Sequence, residues 1–249
     1  MRKLIYLPIA LLMIIAMESI SKYSFFLADR IFPAISFIDP GNAFLYITLH
    51  HIFQGLIAFA LIVLIARVNC EKLSALGLNM NQWHYSAKRV AQFALLWFVI
   101  QFGVGYAMMV QTPIDNLFPF ELTVKNYAGY FLFQILLSGT SEELLYRALL
   151  MGGLLLMGKR LGFPDKMNIA LAVLTSLFAF IIGHISFTLI PFQILSYNVL
   201  QLLTVVIFGG FYAYLYVKTK SVFGAILAHN ILNGVIVFSS LLLTIIFWR

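Results

Sequence analysis

Apolar residues run along this chain in long blocks separated by short polar turns, and the blocks are too uninterrupted for the half-buried helices of a soluble domain. A helix that crosses a bilayer needs about 20 mostly apolar residues. Seven stretches meet that need: Leu4–Ile20, Ala43–Ala66, Val90–Val110, Tyr127–Met157, Met167–Ile190, Ile194–Val217 and Val222–Phe247. The pattern predicts an all-α, polytopic bundle of about seven spans forming one membrane-embedded domain over residues 1–249, with no internal repeat. The fourth stretch is too long for a perpendicular helix, so it should tilt, break near Gly152 and Gly153, or continue along the interface. The first follows Arg2 and Lys3 as a signal peptide would, but Glu18, Lys22 and bulky aromatics stand where small cleavage-site residues belong. It reads as a retained span.

Composition agrees, with 62% hydrophobic and 10% charged residues. A net charge of +7 would suit a nucleic-acid binder, but the basic residues are scattered through the turns, and no nucleic-acid partner is expected. They read as topology determinants instead. Arg2, Lys3, Arg67, Lys72, Lys88, Arg89, Lys159, Arg160, Lys166, Lys218 and Lys220 fall on one side, against Lys22, Arg30, Lys125 and Arg249 on the other. The richer side, with the N-terminus, is the expected cytoplasmic one. The single cysteine, Cys70, makes no internal disulfide.

Ionisable groups inside a spanning helix usually face a cavity and mark function. Three clusters satisfy that rule: Ser138, Ser141, Glu142, Glu143 and Arg147 in the fourth stretch, His184 in the fifth, and His229, Asn230 and Asn233 in the seventh. Four-residue spacing lets Glu143 pair with Arg147 on one face, while Glu142 lies about 100° round the helix and needs other partners. Gln134 and Ser138 lead to Glu142 as a polar stripe; Ser176, Phe180 and His184 form another. His50 and His51, in the outer half of the second stretch, read as packing or interfacial residues outside the site. Trp97 and Trp248 read as interfacial, and Gly209 and Ala213 as close helix contacts. Asn198 and Gln201 suit a substrate path and structural hydrogen bonding equally well.

Two chemistries fit this set. Two histidines and a glutamate from separate helices can hold Zn2+ with an open position for water, the candidates being Glu142, His184 and His229. Alternatively, a glutamate acts alone as general base while a histidine and an asparagine amide stabilise the oxyanion. Both routes end in hydrolysis by an activated water. No GxSxG or HExxH motif competes. A transporter should show repeated halves or paired broken helices, and the chain has neither; a non-catalytic membrane scaffold or immunity protein is the alternative that remains.

At these positions the chain resembles the CPBP family of intramembrane proteases, which includes the eukaryotic CAAX prenyl endopeptidase and the bacterial Abi proteins. The resemblance rests on Glu142-Glu143-Leu-Leu-Tyr-Arg147, Phe180-Ile-Ile-Gly-His184 and His229-Asn-Ile-Leu-Asn233, with weaker likeness at residues 75–78 and 219–226. It implies a catalytic core over about 127–247, a solvated cavity open to the cytoplasm, and cleavage of a membrane-associated peptide or protein at a bacterial plasma membrane. By position, it implies that Glu142 activates water, Glu143 and Arg147 orient the site, His184 and His229 bind metal or polarise, and Asn233 helps hold the oxyanion. One feature needs tertiary structure to resolve it: His229 follows its basic turn closely, whereas His184 is near the far end of its stretch. A strong tilt or a late start to the fifth span would bring them to one depth.

Overall fold

A computed structural model describes residues 5–112, 114, 116–189 and 191–247. Arg2, Lys3, Leu4, Ile190, Trp248 and Arg249 lie outside the described residues. Seven helices make up the bundle: α1 (Tyr6–Ile35), α2 (Leu45–Val68), α3 (Trp83–Gln111), α4 (124–160), α5 (Asp165–Ile182), α6 (Val199–Thr219) and α7 (Val222–Phe247). All except α4 are single α-helices long and apolar enough to cross a membrane. The chain is therefore an all-α, polytopic integral membrane protein. Helix α7 packs against α3, α4 and α6, and α2 packs between α1 and α4. Large apolar side chains such as Leu11, Leu12, Leu95 and Val99 point outward, as expected where the solvent is lipid.

Helix α4 is the long fourth stretch, and its length is accommodated without a break. Thr123 caps it by accepting from the Asn126 N–H at 3.2 Å. It then alternates between α-geometry and two π segments, Gln134–Ser138 and Leu144–Met151, with α-geometry resuming at Gly152. Widened π turns gather at functional positions in helices; here they flank Glu142 and Glu143 on both sides.

The fifth and sixth stretches depart from expectation. Helix α5 ends at Ile182 and α6 begins at Val199, and between them lies an antiparallel hairpin, β1 (Ser186–Leu189) and β2 (Phe192–Ser196). Phe187 stands opposite Ile194, with a bulge beside Ser186. Hydropathy ran through this segment because its residues are apolar, but Gly183, Thr188 and Pro191 favour turn and strand over helix. Trp97 is also corrected: it sits in the body of α3 and packs edge-on to Phe208 at 4.7 Å, away from the helix ends.

The basic turns gather at one end of the bundle. The guanidinium of Arg160 donates to the Asn69 carbonyl at 2.8 Å and to the Asn69 side chain, and the Asn79 amide donates to the Lys220 carbonyl at 2.7 Å. At the other end, Asp39 is fully buried and ties the turn into α2, accepting from the N–H groups of Ala43, Phe44 and Leu45 at 2.7–2.9 Å. Burial opposes its charge most strongly, yet these three donors and Lys125 together hold its carboxyl below its ordinary value.

A carboxyl depressed in this way stabilises the fold above its unfolded value of about 3.9, and that contribution fades as pH falls through the lower folded value. Asp39→Asn should lower stability by about 1–3 kcal/mol at neutral pH. Thermal unfolding in detergent at pH 7 and pH 3 should show the variant and the wild type converging at the acid end.

Candidate active site

The site is assembled from α2, α4, α5 and α7 around a cavity of about 310 Å³ lined by His51, Gln134, Ser138, Glu142, His184, His229 and Asn233. Beneath it lies a charged core. Glu143 and Arg147 are both fully buried, with Arg147 Nε 3.2 Å from Glu143 Oε2. The guanidinium donates to the Gly209 carbonyl at 3.0 Å and lies 4.6 Å over the Phe180 ring. Gly209 is the close contact expected, since a Cβ there would come within 2.9 Å of Leu177 and Phe180. One arginine thus joins α4, α5 and α6.

The other carboxylate oxygen, Glu143 Oε1, accepts from His229 Nδ1 at 2.9 Å. That bond puts the ring proton on Nδ1 and turns Nε2 towards Glu142, 3.9 Å from its Oε2. Tyr212 stacks on the same ring at 4.7 Å. Contact between α4 and α7 is close enough here that a Cβ on Gly139 would lie 2.5 Å from that of His229; the Gly139 N–H donates to Asn230 Oδ1 at 2.9 Å.

On the opposite flank of Glu142 is a residue that sequence reasoning excluded. His51 is buried, and its Nδ1 lies 2.5 Å from Ser141 Oγ. Because Ser141 donates its own proton to the Ser138 carbonyl at 3.2 Å, Nδ1 is the donor in that bond. The His51 Nε2 then faces Glu142 Oε1 at 4.0 Å. The signal was present, since the rule that selected His184 applies to any imidazole inside a span; only the partner across the bundle was invisible. His50 stays outside the cavity, stacked on Phe25 at 3.6 Å.

Glu142 Oε2 has no hydrogen-bonding partner among the described protein groups. Both imidazole gaps are too long for a direct hydrogen bond. Asn233 donates to Gln134 Oε1 at 2.9 Å and to Ser138 Oγ at 3.1 Å, so its amide protons order the cavity wall. His184 is tied through Nδ1 to the Phe180 carbonyl at 2.8 Å.

The two motif histidines do share one cavity, and the depth problem has a simple answer. Helix α5 starts early, at Asp165, and His184 follows just past its end at Ile182, about 26 Å from the start, whereas His229 is about 10 Å from the start of α7. The turn between α4 and α5 therefore projects further from the site than the turn between α6 and α7.

The three cavity imidazoles are each anchored through Nδ1, the arrangement that orients a metal ligand. As the side chains stand, however, no group of three or more His, Cys, Asp or Glu among the described residues is spaced to hold a metal ion. Glu142, His184 and His229 line one space without closing on one point.

Fold and site together define a polytopic helical membrane protein with a polar cavity of about 310 Å³ inside the bundle. Residues 124–235 match the family model described as Type II CAAX prenyl endopeptidase Rce1-like, a segment that contains all three motifs. The match bears out the resemblance to the CPBP family and supports a CAAX-type intramembrane protease in general terms. No curated protein and no solved structure matches the chain. His51 lies outside the matched segment.

Arg147→Ala should leave Glu143 buried without its counter-charge, lowering stability by about 3–5 kcal/mol. Arg147→Lys should recover little, since a point charge cannot reach both Glu143 and Gly209. Thermal unfolding of the purified variants in detergent checks both.

Proposed function

We propose that this protein is an intramembrane endopeptidase that hydrolyses a peptide bond of a membrane-associated peptide or protein, using a water activated by Glu142. The reading rests on one observation: the Glu142 carboxylate is flanked by His51 Nε2 at 4.0 Å and His229 Nε2 at 3.9 Å in a polar cavity of about 310 Å³. A water in either gap accepts direction from two sides and lies against a base. Glu142 takes one proton as the water oxygen attacks the carbonyl carbon, and returns it to the nitrogen as the C–N bond breaks.

Glu143 and Arg147 act indirectly by fixing His229. His184, held by Nδ1 on the Phe180 carbonyl, lines the cavity wall where the carbonyl oxygen of the scissile bond would lie. Asn233 donates to that oxygen only by releasing Gln134 or Ser138, so its first task is to shape the wall. The catalytic core falls within about residues 127–247, with His51 added from α2, and the basic turns face the cytoplasm. Were Zn2+ bound, it would supply a Lewis acid next to the same water, held by Glu142 and the Nε2 atoms of His184 and His229.

Cells carrying the wild type and Glu142→Ala should be compared by mass spectrometry of membrane peptides, farnesylated ones included. Products that depend on the enzyme should vanish in the variant at equal expression. In membranes, loss of the base should lower the rate about 10²–10⁴-fold, and His51→Gln should lower kcat more than it changes KM. Inhibition by a chelator, reversed by Zn2+, would replace the metal-free route. No Glu142-dependent product, with biological activity intact in Glu142→Ala, would replace the protease reading with the scaffold.

A further inference from the structure

The β1–β2 hairpin is the only sheet among the described residues, and it stands at the depth of the site. Helices α5 and α6 stop there: His184 and Gln201, at their ends, line the catalytic cavity with Asn233 and Ile236. Neighbouring helices do not stop. From Asn233, α7 runs on to Phe247, about 21 Å. From Lys22, whose ammonium lies 5.2 Å over the Phe187 ring, α1 runs on to Ile35, about 20 Å. The hairpin therefore fills a notch in the flank of the bundle.

Its outer strand is open. All five residues of β2 are exposed, with Phe192 at 71% and Leu195 at 56%. Neither strand carries a charge or a proline, the usual guards of a sheet edge. Unpaired backbone N–H and C=O groups facing hydrocarbon are not tolerated at bilayer depth, so this edge needs a partner. A cavity of about 470 Å³ joins the hairpin base, at Ser186 and Ser196, to His184 and Gln201. Those two residues also line the catalytic cavity, so the two spaces adjoin at His184 and Gln201.

Hydrolysis supplies a partner of matching chemistry. A scissile bond must leave helical structure before water reaches its carbonyl, and the extended peptide then carries the same unsatisfied backbone groups as β2. We propose that the outer edge of β2 docks the extended stretch of substrate next to its scissile bond by strand addition, delivering that bond past His184 and Gln201 to Glu142. Backbone pairing gives the affinity, and alternate side chains set the preference. This inference rests on the protease reading above.

The test uses the peptide whose cleavage Glu142→Ala abolishes, synthesised with single backbone N-methyl groups along its length. Strand addition predicts KM increases of roughly five- to tenfold at every second residue on one side of the scissile bond, with kcat little changed. The protein arm uses Glu142→Gln with Cys70→Ser and Ile194→Cys. Disulfide capture of single-cysteine versions of the peptide should peak at alternate positions, and a surface control, Leu95→Cys, should capture none. A flat N-methyl scan with cleavage intact, or disulfides between two enzyme copies at Ile194→Cys, overturns the docking edge while leaving the protease reading in place. Absence of any Glu142-dependent peptide overturns both.

Discussion

A charge inside a bilayer has to be answered by another charge or by dense hydrogen bonding, and the buried Glu143–Arg147 pair is where this structure meets that demand. Both side chains are fully excluded from solvent. Neither could persist alone, because an uncompensated ion in that environment is far more expensive than the apolar residue it displaces. The pair then dictates its surroundings: Gly209 must be small so that its carbonyl is reachable, Phe180 must lie flat beneath the guanidinium, and His229 must turn its Nδ1 to the remaining carboxylate oxygen. The ion pair is thus both the mechanical joint of three helices and the device that aims an imidazole.

The adjacent carboxylate obeys the opposite logic. Glu142 is one position along the helix, and the turn of about 100° per residue carries it out of the ion pair and into the cavity. It meets imidazole nitrogen atoms at 4.0 and 3.9 Å on two flanks rather than a cation in contact. Two neighbouring glutamates therefore divide the work, one neutralised to hold structure and one left free for water. The π turns on either side of them loosen the helix where both faces of α4 must be occupied at once.

Much of this was legible in the linear chain. Spans were visible because lipid demands long apolar runs, and the Glu143–Arg147 pairing because it is local to one helix. The boundaries failed where apolar residues served another geometry: the hairpin at residues 186–196 has membrane-like composition and hides inside a hydropathy profile. His51 failed for a different reason. Its spacing relates it to nothing on its own helix, and its partner, Ser141, is ninety positions away.

Composition and periodicity by themselves determined that the chain is a helical membrane protein with polar clusters in three of its spans, since those properties follow from the solvent and from contacts within one helix. Tertiary structure alone decided which clusters meet, that a fourth helix adds His51, and that α5 and α6 end at the site beside an open strand. Contacts between helices depend on relative depth, tilt and rotation. These are set by side-chain packing across the bundle, and no spacing along a single helix encodes them.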